Sequence, residues 1–133
     1  MDTNTENSLI RILVLDDDNV LRQLEQDILE SRGYEVVCTS SGEEAVSVFE
    51  AAHLNGMPFA AVILDLTIEG GLGGKDTLIC LKEIDPDVRA IAVSGYTSDA
   101  VMSNPAGFGF ETCLLKPFQI QDFLRLLGAV VER

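Results

Sequence analysis

The sequence predicts an α/β protein in which helices cover both faces of a parallel sheet. Short runs rich in β-branched residues recur five times along the 133 residues, and segments with helical spacing separate them. The runs are almost entirely apolar, which is typical of strands that are buried on both sides of a sheet. The length suits one domain and leaves little room for a second.

The predicted strands are close to one another in length and composition. They are "IRILVL" (10–15), "EVVCT" (35–39), "FAAVIL" (59–64), "RAIAV" (89–93) and "TCLL" (112–115). Because crossovers between parallel strands are right-handed, few strand orders are possible. We expect a flavodoxin-like (βα)5 doubly wound sheet in the order 2-1-3-4-5. In that order the first and third strands are neighbours, and sites form at the carboxyl ends of the strands.

The spacing of apolar residues predicts a helix after each strand. The first ends before Gly33, and the second begins at a capping box formed by Ser41 and Glu44. A weaker helix is predicted over 98–104, before Pro105. The inward faces of the other four are Leu21, Leu24, Ile28 and Leu29; Ala45, Val46, Phe49 and Ala52; Leu78, Leu81 and Ile84; and Ile120, Phe123, Leu124, Leu127 and Val131.

Composition and charge exclude several classes of function. The net charge of −13 argues against nucleic-acid binding by this domain, because affinity for phosphates needs basic patches. The apolar runs are too short to span a bilayer, and no signal peptide is recognisable, so we expect no membrane contact. Three cysteines without a CxxC pair indicate a reducing, cytoplasmic setting. We expect a polar tail over 1–8, a domain over 9–133, and a monomer or weak dimer.

Acidic residues follow two of the predicted strands. Asp16 and Asp17 end the first strand, and Asp65 ends the third. In the proposed order these three carboxylates converge, although carboxylates a few Å apart repel by about 1 kcal/mol per pair even in water. A cluster of this kind suits a hard cation, and Mg²⁺ prefers oxygen ligands with positions left open for a phosphoryl group.

Two further polar residues end the remaining inner strands. Ser94 closes the fourth strand in "IAVSGY", and Lys116 closes the fifth in "CLLKPF". An aspartate nucleophile with Mg²⁺ and a lysine can carry out phosphoryl transfer, with the cations neutralising the charge. Asp18 is interpreted differently, as the cap of the first helix.

These motifs together resemble the receiver domain of two-component response regulators. "VLDDD", "VILDLT", "AVSG" and "LLKPF" fall in that family's order and spacing, and the resemblance covers about residues 10–131. The resemblance implies that Asp65 is the phospho-acceptor. It implies that Mg²⁺ is bound directly by Asp17, by Asp16 as a partner ligand that often acts through water, and by the backbone carbonyl of Thr67. It also implies that the Ser94 hydroxyl hydrogen-bonds the phosphoryl group and that Lys116 forms an ion pair with it.

The sequence departs from that family at a few positions. Glu69 stands where a proline is usual, and the glycine-rich loop "TIEGGLGGKD" is one residue longer than usual. This loop and "SGYTSD" resemble those of receivers appended to hybrid sensor histidine kinases. Cys113 occupies the switch position that usually holds Tyr or Phe. Tyr96 lies two residues after Ser94, at a position that the resemblance places near the path of the water that hydrolyses the acyl phosphate.

The resemblance implies a phosphorelay function. The domain would accept a phosphoryl group onto Asp65, with Mg²⁺, from a phosphohistidine of a sensor histidine kinase or a histidine phosphotransfer domain, and would signal by a conformational change. It would catalyse its own phosphorylation and dephosphorylation without turning over a separate substrate, so we do not expect an enzyme in the usual sense. It either acts alone or is a piece of a hybrid kinase.

Three other functions are less well supported by the residues. A Mg²⁺-dependent phosphatase with an aspartyl nucleophile usually has a second aspartate two residues later, where this chain has Thr67. A pseudo-receiver that only binds a partner would not need the complete set of acidic, serine and lysine residues. A flavin carrier is disfavoured because the acidic rim would repel the flavin phosphate.

Overall fold

The structure is a computed structural model that describes residues 9–68 and 70–132. The predicted tail at 1–8, like Glu69, lies outside the described residues. The elements, in chain order, are β1 (Arg11–Leu15), α1 (Asn19–Ser31), β2 (Glu35–Thr39), α2 (Gly42–Leu54), β3 (Ala61–Asp65), α3 (Gly74–Ile84), β4 (Ala90–Ser94), α4 (Ala100–Ser103), a 3₁₀ helix (Pro105–Phe108), β5 (Thr112–Leu115) and α5 (Ile120–Val131). Among the helices of this part of the chain, none is long and apolar enough to cross a bilayer.

The five strands form one parallel sheet in the order β2-β1-β3-β4-β5, which confirms the predicted order. The registers at its carboxyl edge are Leu15↔Leu64, Asp65↔Val93 and Ser94↔Leu115. Asp16 and Asp65 therefore follow paired residues and lie side by side. Ser94 lies one step beyond Asp65, and Lys116 one step beyond Ser94. The register alone brings the polar residues to one edge.

The strands send alternate side chains into two cores, one on each face of the sheet. In β1, Leu13 and Leu15 join the core that α2 and α3 cover, whereas Ile12 and Val14 join the core that α1 and α5 cover. This arrangement explains why β1, β3 and β4 are almost entirely apolar, because nearly all of their side chains are buried on one face or the other.

Two strands are placed slightly later than predicted. β3 begins at Ala61 and includes Asp65, and β4 runs from Ala90 to Ser94, so that each ends on a polar residue. The capping box is also modified. Ser41 Oγ accepts a hydrogen bond from the Glu44 N–H at 3.1 Å as predicted, but the Glu44 carboxylate accepts from the N–H of Ser40, at 3.0 Å, instead of that of Ser41.

The helix predicted over 98–104 is shorter than expected. α4 is four residues long, and its cap is Asp99, whose side chain accepts from the Val101 N–H. Pro105 cannot continue the helix because it has no N–H. The side chain of Asn104 instead starts a 3₁₀ turn, which ends at Gly109 with φ of 91°.

The predicted inward faces of two helices, α1 and α5, are partly wrong. Leu24 in α1 is 48% exposed and Ile120 in α5 is 49% exposed, whereas Glu25 and Val130 are buried. The stripe that α1 buries is centred on residues 25 and 29, four apart on one face. Because a glutamate lies at the centre of this stripe, the spacing of apolar residues did not predict it. Ile120 lies in the first turn of α5, where it lines a groove towards α1.

A buried hydroxyl lies between α2 and α3. Oγ1 of Thr77 has no hydrogen-bond partner among the described residues. Gly42 packs closely against it, since a Cβ at residue 42 would lie 2.4 Å from Oγ1. An unpaired buried hydroxyl lowers stability because it loses its hydrogen bonds to water on folding and gains none within the protein.

We expect Thr77→Val to raise the free energy of unfolding by about 1 kcal/mol, because valine keeps the shape and removes the unpaired oxygen. Urea denaturation measures the change. The matched control is Thr39→Val, since Thr39 is equally buried but its hydroxyl donates to the Val14 carbonyl at 2.8 Å. That variant should lose stability, and a change in the same direction for both variants would contradict the prediction.

Candidate functional site

The three aspartates predicted to converge do so at the carboxyl edge of the sheet. One carboxylate oxygen from each of Asp16, Asp17 and Asp65 can be chosen so that all three lie within 4.8 Å of one another. Asp16 and Asp65 are each only 2% exposed, while Asp17 is exposed. The cluster therefore has a buried floor and one side open to solvent.

Lys116 provides the positive charge at this cluster. Its Nζ lies 2.8 Å from Oδ2 of Asp65 and 3.3 Å from Oδ2 of Asp16. Burial lowers the pKa of Lys116, but the hydrogen bond and charge of Asp65, together with those of Asp16, outweigh it, so the net pKa lies above the usual value. The lysine stays charged at any physiological pH. The Lys116-Pro117 peptide bond that follows is cis.

The carboxylate of Asp65 is held at both oxygens. Oδ1 accepts hydrogen bonds from the N–H of Thr67 at 2.8 Å and from its hydroxyl at 2.6 Å. Oδ2 accepts the bond from Lys116. The side chain of Asp65 consequently has a fixed orientation in the cleft.

Asp16 is anchored to the start of α1. Its Oδ1 accepts from the N–H of Asp18 at 2.9 Å, and its backbone carbonyl accepts from the Arg22 guanidinium at 2.7 Å. Burial raises the pKa of Asp16 above its ordinary value, although the Asp18 N–H and the charge of Lys116 oppose this. Asp18 itself caps α1 as predicted, with Oδ1 accepting from the N–H of Val20 and of Leu21.

The other predicted site residues lie on β4 and β5. Ser94 is fully buried, and its Oγ accepts from the N–H of Tyr96 at 3.0 Å. The Tyr96 side chain is 64% exposed. Cys113 is half-buried in β5, where its thiol contacts the backbone carbonyl of Met102 at 3.6 Å. The structure thus brings the acidic residues and Lys116 together, while Ser94 is bonded to its own loop.

The sequence analysis missed Glu25, which lies beneath the cluster. This α1 residue is 2% exposed, and its carboxyl group interacts with that of Asp16. Burial, followed by the charge of Asp16, raises the pKa of Glu25 to about 8. Its position four residues before the buried Leu29 was the available signal, since residues four apart share a helix face.

The donor set fits a divalent cation. The oxygens of three carboxylates are the hard ligands that Mg²⁺ prefers. A single lysine leaves the cluster with an excess of negative charge, which a divalent cation would neutralise. The exposed side at Asp17 leaves room for water or a phosphoryl oxygen.

Comparisons with known proteins agree with this geometry. The sequence model of the response regulator receiver domain matches residues 12–127. The chain is 31% identical to the transcriptional regulatory protein AruR of Pseudomonas aeruginosa over 92% of its length and half of that protein's. It is also 31% identical to the sensor kinase CckA of Brucella abortus, over 92% of its own length but only 12% of CckA.

A solved structure has the same fold. The receiver domain of the sensor histidine kinase PA1611 from Pseudomonas aeruginosa, solved with a magnesium ion coordinated in its active site cleft, superposes with a TM-score of 0.81. The two chains are 22% identical, and the alignment covers 95% of this chain and all of that domain.

We expect the stability of the metal-free protein to fall as pH rises from about 4.5 to about 8, because Glu25 is neutral in the folded protein and ionised in the unfolded chain over this range. The stability that the neutral carboxyl of Glu25 contributes is fully present below the pKa that this group has in the unfolded chain. This stability is lost as the pH rises through the pKa that the group has in the folded protein. Glu25→Gln should therefore exceed wild type by about 2–4 kcal/mol near pH 8.5 and by little near pH 5. Urea denaturation in EDTA measures both. Glu50→Gln, at an exposed glutamate of α2, is the control, and equal pH dependence of Glu25→Gln and wild type would contradict the prediction.

Proposed function

We propose that this chain, which belongs to the response regulator receiver domain family, is a phosphorelay receiver that accepts a phosphoryl group from phosphohistidine onto Asp65 with Mg²⁺. The observation that carries the proposal is the setting of Asp65. Its carboxylate is buried at a strand end, held between Lys116 and Thr67, and adjacent to two further carboxylates. This is the setting of a nucleophile whose charged partners are already in place.

The proposed reaction is an in-line displacement. An oxygen of Asp65 attacks phosphorus, the P–N bond to the donor imidazole breaks, and its electron pair stays on the imidazole nitrogen. Lys116 pairs with the phosphoryl group, and the Ser94 hydroxyl turns from Tyr96 to donate to a phosphoryl oxygen. Water later attacks the phosphorus, the P–O bond to Asp65 breaks, and inorganic phosphate leaves while the carboxylate of Asp65 is restored. The domain thus catalyses its own phosphorylation and dephosphorylation and turns over no separate substrate.

Mg²⁺ is the cofactor that the donor chemistry favours. Asp17, Asp65 and the backbone carbonyl of Thr67 would hold it directly, and Asp16 through water. When bound, the ion supplies positive charge that neutralises the phosphoryl oxygens. The magnesium in the cleft of the PA1611 receiver supports the same assignment here.

We propose that a helix of a sensor histidine kinase or of a histidine phosphotransfer domain binds in a groove beside the site. It has a volume of about 470 Å³, runs between α1 and the segment that follows β5, and reaches Lys116. Its apolar lining is Leu21, Leu24, Ile28, Pro117, Phe118 and Ile120. The relative CckA is a sensor kinase, which supports a place in or beside such a kinase. We propose that this domain contacts neither nucleic acid nor a membrane. We also propose that it is a cytoplasmic monomer or weak dimer.

The output route is proposed to differ from one that uses an aromatic switch. Movement of the Ser94 hydroxyl towards a phosphoryl group breaks its bond with the Tyr96 N–H, which shifts the loop leading to α4. Cys113 has no ring to follow that movement, and its thiol contacts Met102 in α4 instead. The signal would reach α4 and β5 through this contact. The phosphatase alternative is disfavoured, because Thr67 has no carboxylate and its hydroxyl is bonded to Asp65.

We expect acetyl phosphate with Mg²⁺ to label Asp65 and no other residue, because the Nζ of Lys116 lies closer to Asp65, at 2.8 Å, than to Asp16, at 3.3 Å, and Thr67 holds the carboxylate of Asp65 in place. Reductive trapping of the acyl phosphate followed by mass spectrometry locates the label. Asp65→Asn and treatment with EDTA should each abolish it. Label on Asp16, Asp17 or His53 would contradict the assignment.

We expect Tyr96 to slow dephosphorylation, because it lies two residues after Ser94 and its exposed ring is large enough to cover the acyl phosphate from water. Decay of the phosphorylated protein is followed at equal Mg²⁺ for wild type and Tyr96→Ala. The alanine variant should decay about three- to tenfold faster, since access of an aligned water contributes to the rate. Tyr96→Phe is the matched control and should decay like wild type. Equal or slower decay of Tyr96→Ala would assign Tyr96 to partner binding instead.

A further inference from the structure

The turn between β1 and α1 carries two of the three clustered aspartates, and the side chain of Arg22 bridges it. Nη1 of Arg22 donates a hydrogen bond to the backbone carbonyl of Asp16 at 2.7 Å. Nη2 donates to the side-chain oxygen of Asn19, the first residue of α1. Asp17 lies between these two acceptors along the chain, so the guanidinium group spans the turn that presents Asp17.

The bond to the Asp16 carbonyl acts on the direction of the Asp17 side chain. That carbonyl belongs to the planar peptide group that joins Asp16 to Asp17, so holding its oxygen restricts rotation of the plane. The next peptide group is held at its N–H, because Asp18 N–H donates to Oδ1 of Asp16 at 2.9 Å. Asp17 is exposed, so burial does not hold this stretch of backbone. The bonds on either side of Asp17 therefore set where its carboxylate points.

The charge of Arg22 and its geometry have opposite effects on a cation site. A positive charge close to the acidic cluster repels a divalent cation, so charge alone would make Arg22 unfavourable for metal binding. The planar guanidinium group, however, has donors in a fixed arrangement and can bond to two acceptors at once. A lysine at this position would keep the charge but could not reproduce the bridge.

We infer that Arg22 is a positioning residue that aims the carboxylate of Asp17 at Mg²⁺ by bridging Asp16 and Asn19, an inference that rests on the metal site of the proposed function. Arg22 is not itself a ligand, because a guanidinium group has only donors. It acts through the backbone carbonyl of Asp16.

The experiment titrates Mg²⁺ into wild type, Arg22→Lys and Arg22→Met by isothermal calorimetry, with no phosphoryl donor present. Arg22→Lys should bind Mg²⁺ about tenfold more weakly, because residues that orient metal ligands contribute this much to affinity. Arg22→Met should also bind more weakly than wild type, although it removes a repelling charge. Arg32→Lys, at an exposed residue at the other end of α1, is the control and should bind like wild type.

A milder variant keeps the inference testable if a change at Arg22 impairs folding. Asn19→Ala removes one acceptor of the bridge at an exposed position and should weaken Mg²⁺ binding about three- to fivefold. In the Arg22→Lys background it should have little further effect, because both changes break the same bridge. Urea denaturation in EDTA separates a purely structural role, which would lower stability and leave the Mg²⁺ affinity of the folded protein unchanged.

The inference is overturned if Arg22→Lys binds Mg²⁺ as tightly as wild type, if Arg22→Met binds it more tightly, or if the effects of Asn19→Ala and Arg22→Lys add in the double variant. Wild-type protein that binds Mg²⁺ but acquires no label on Asp65 would overturn the proposed function alone.

Discussion

Two carboxylates, Asp16 and Asp65, lie buried side by side at the edge of the sheet, and the Nζ of Lys116 contacts both. Two neighbouring carboxylates repel each other more strongly when they are buried than when they are in water. Removing the ammonium group of Lys116 would leave their negative charge buried and uncompensated. The ion pair spans β1, β3 and the end of β5, so it also joins the two halves of the edge. Lys116 compensates only part of the negative charge, and the remainder favours a divalent cation.

The polar residues at three strand ends are held by one repeated device. After Asp16, Asp65 and Ser94, the backbone N–H two residues later donates to the side-chain oxygen. Each turn satisfies an N–H that the sheet no longer pairs, and it also orients the side chain into the cleft. The same local chemistry thus ends each strand and prepares the site. Ser94 differs from the two aspartates because its proposed role requires this bond to break.

Glu25 connects the site to the groove between α1 and the segment after β5. Its carboxyl group lies under Asp16 and also lines the groove near Lys116. A buried acid of this kind costs stability at neutral pH, which is typical of positions near functional sites. The groove therefore has an apolar lining and a polar end that opens onto the cluster.

The sequence by itself determined the α/β class, the strand order and the residues that meet at the carboxyl edge. Strongly apolar strands and right-handed crossovers allow few arrangements, and polar residues at strand ends reach the same edge in any of them. Only the tertiary structure decided which residues are in contact there. The burial of Glu25 and the contacts of Lys116 with both Asp16 and Asp65 depend on distances of a few Å between separate elements. The pattern of apolar residues along the chain carries no record of such distances, since it reports which side of an element is buried but not what it touches.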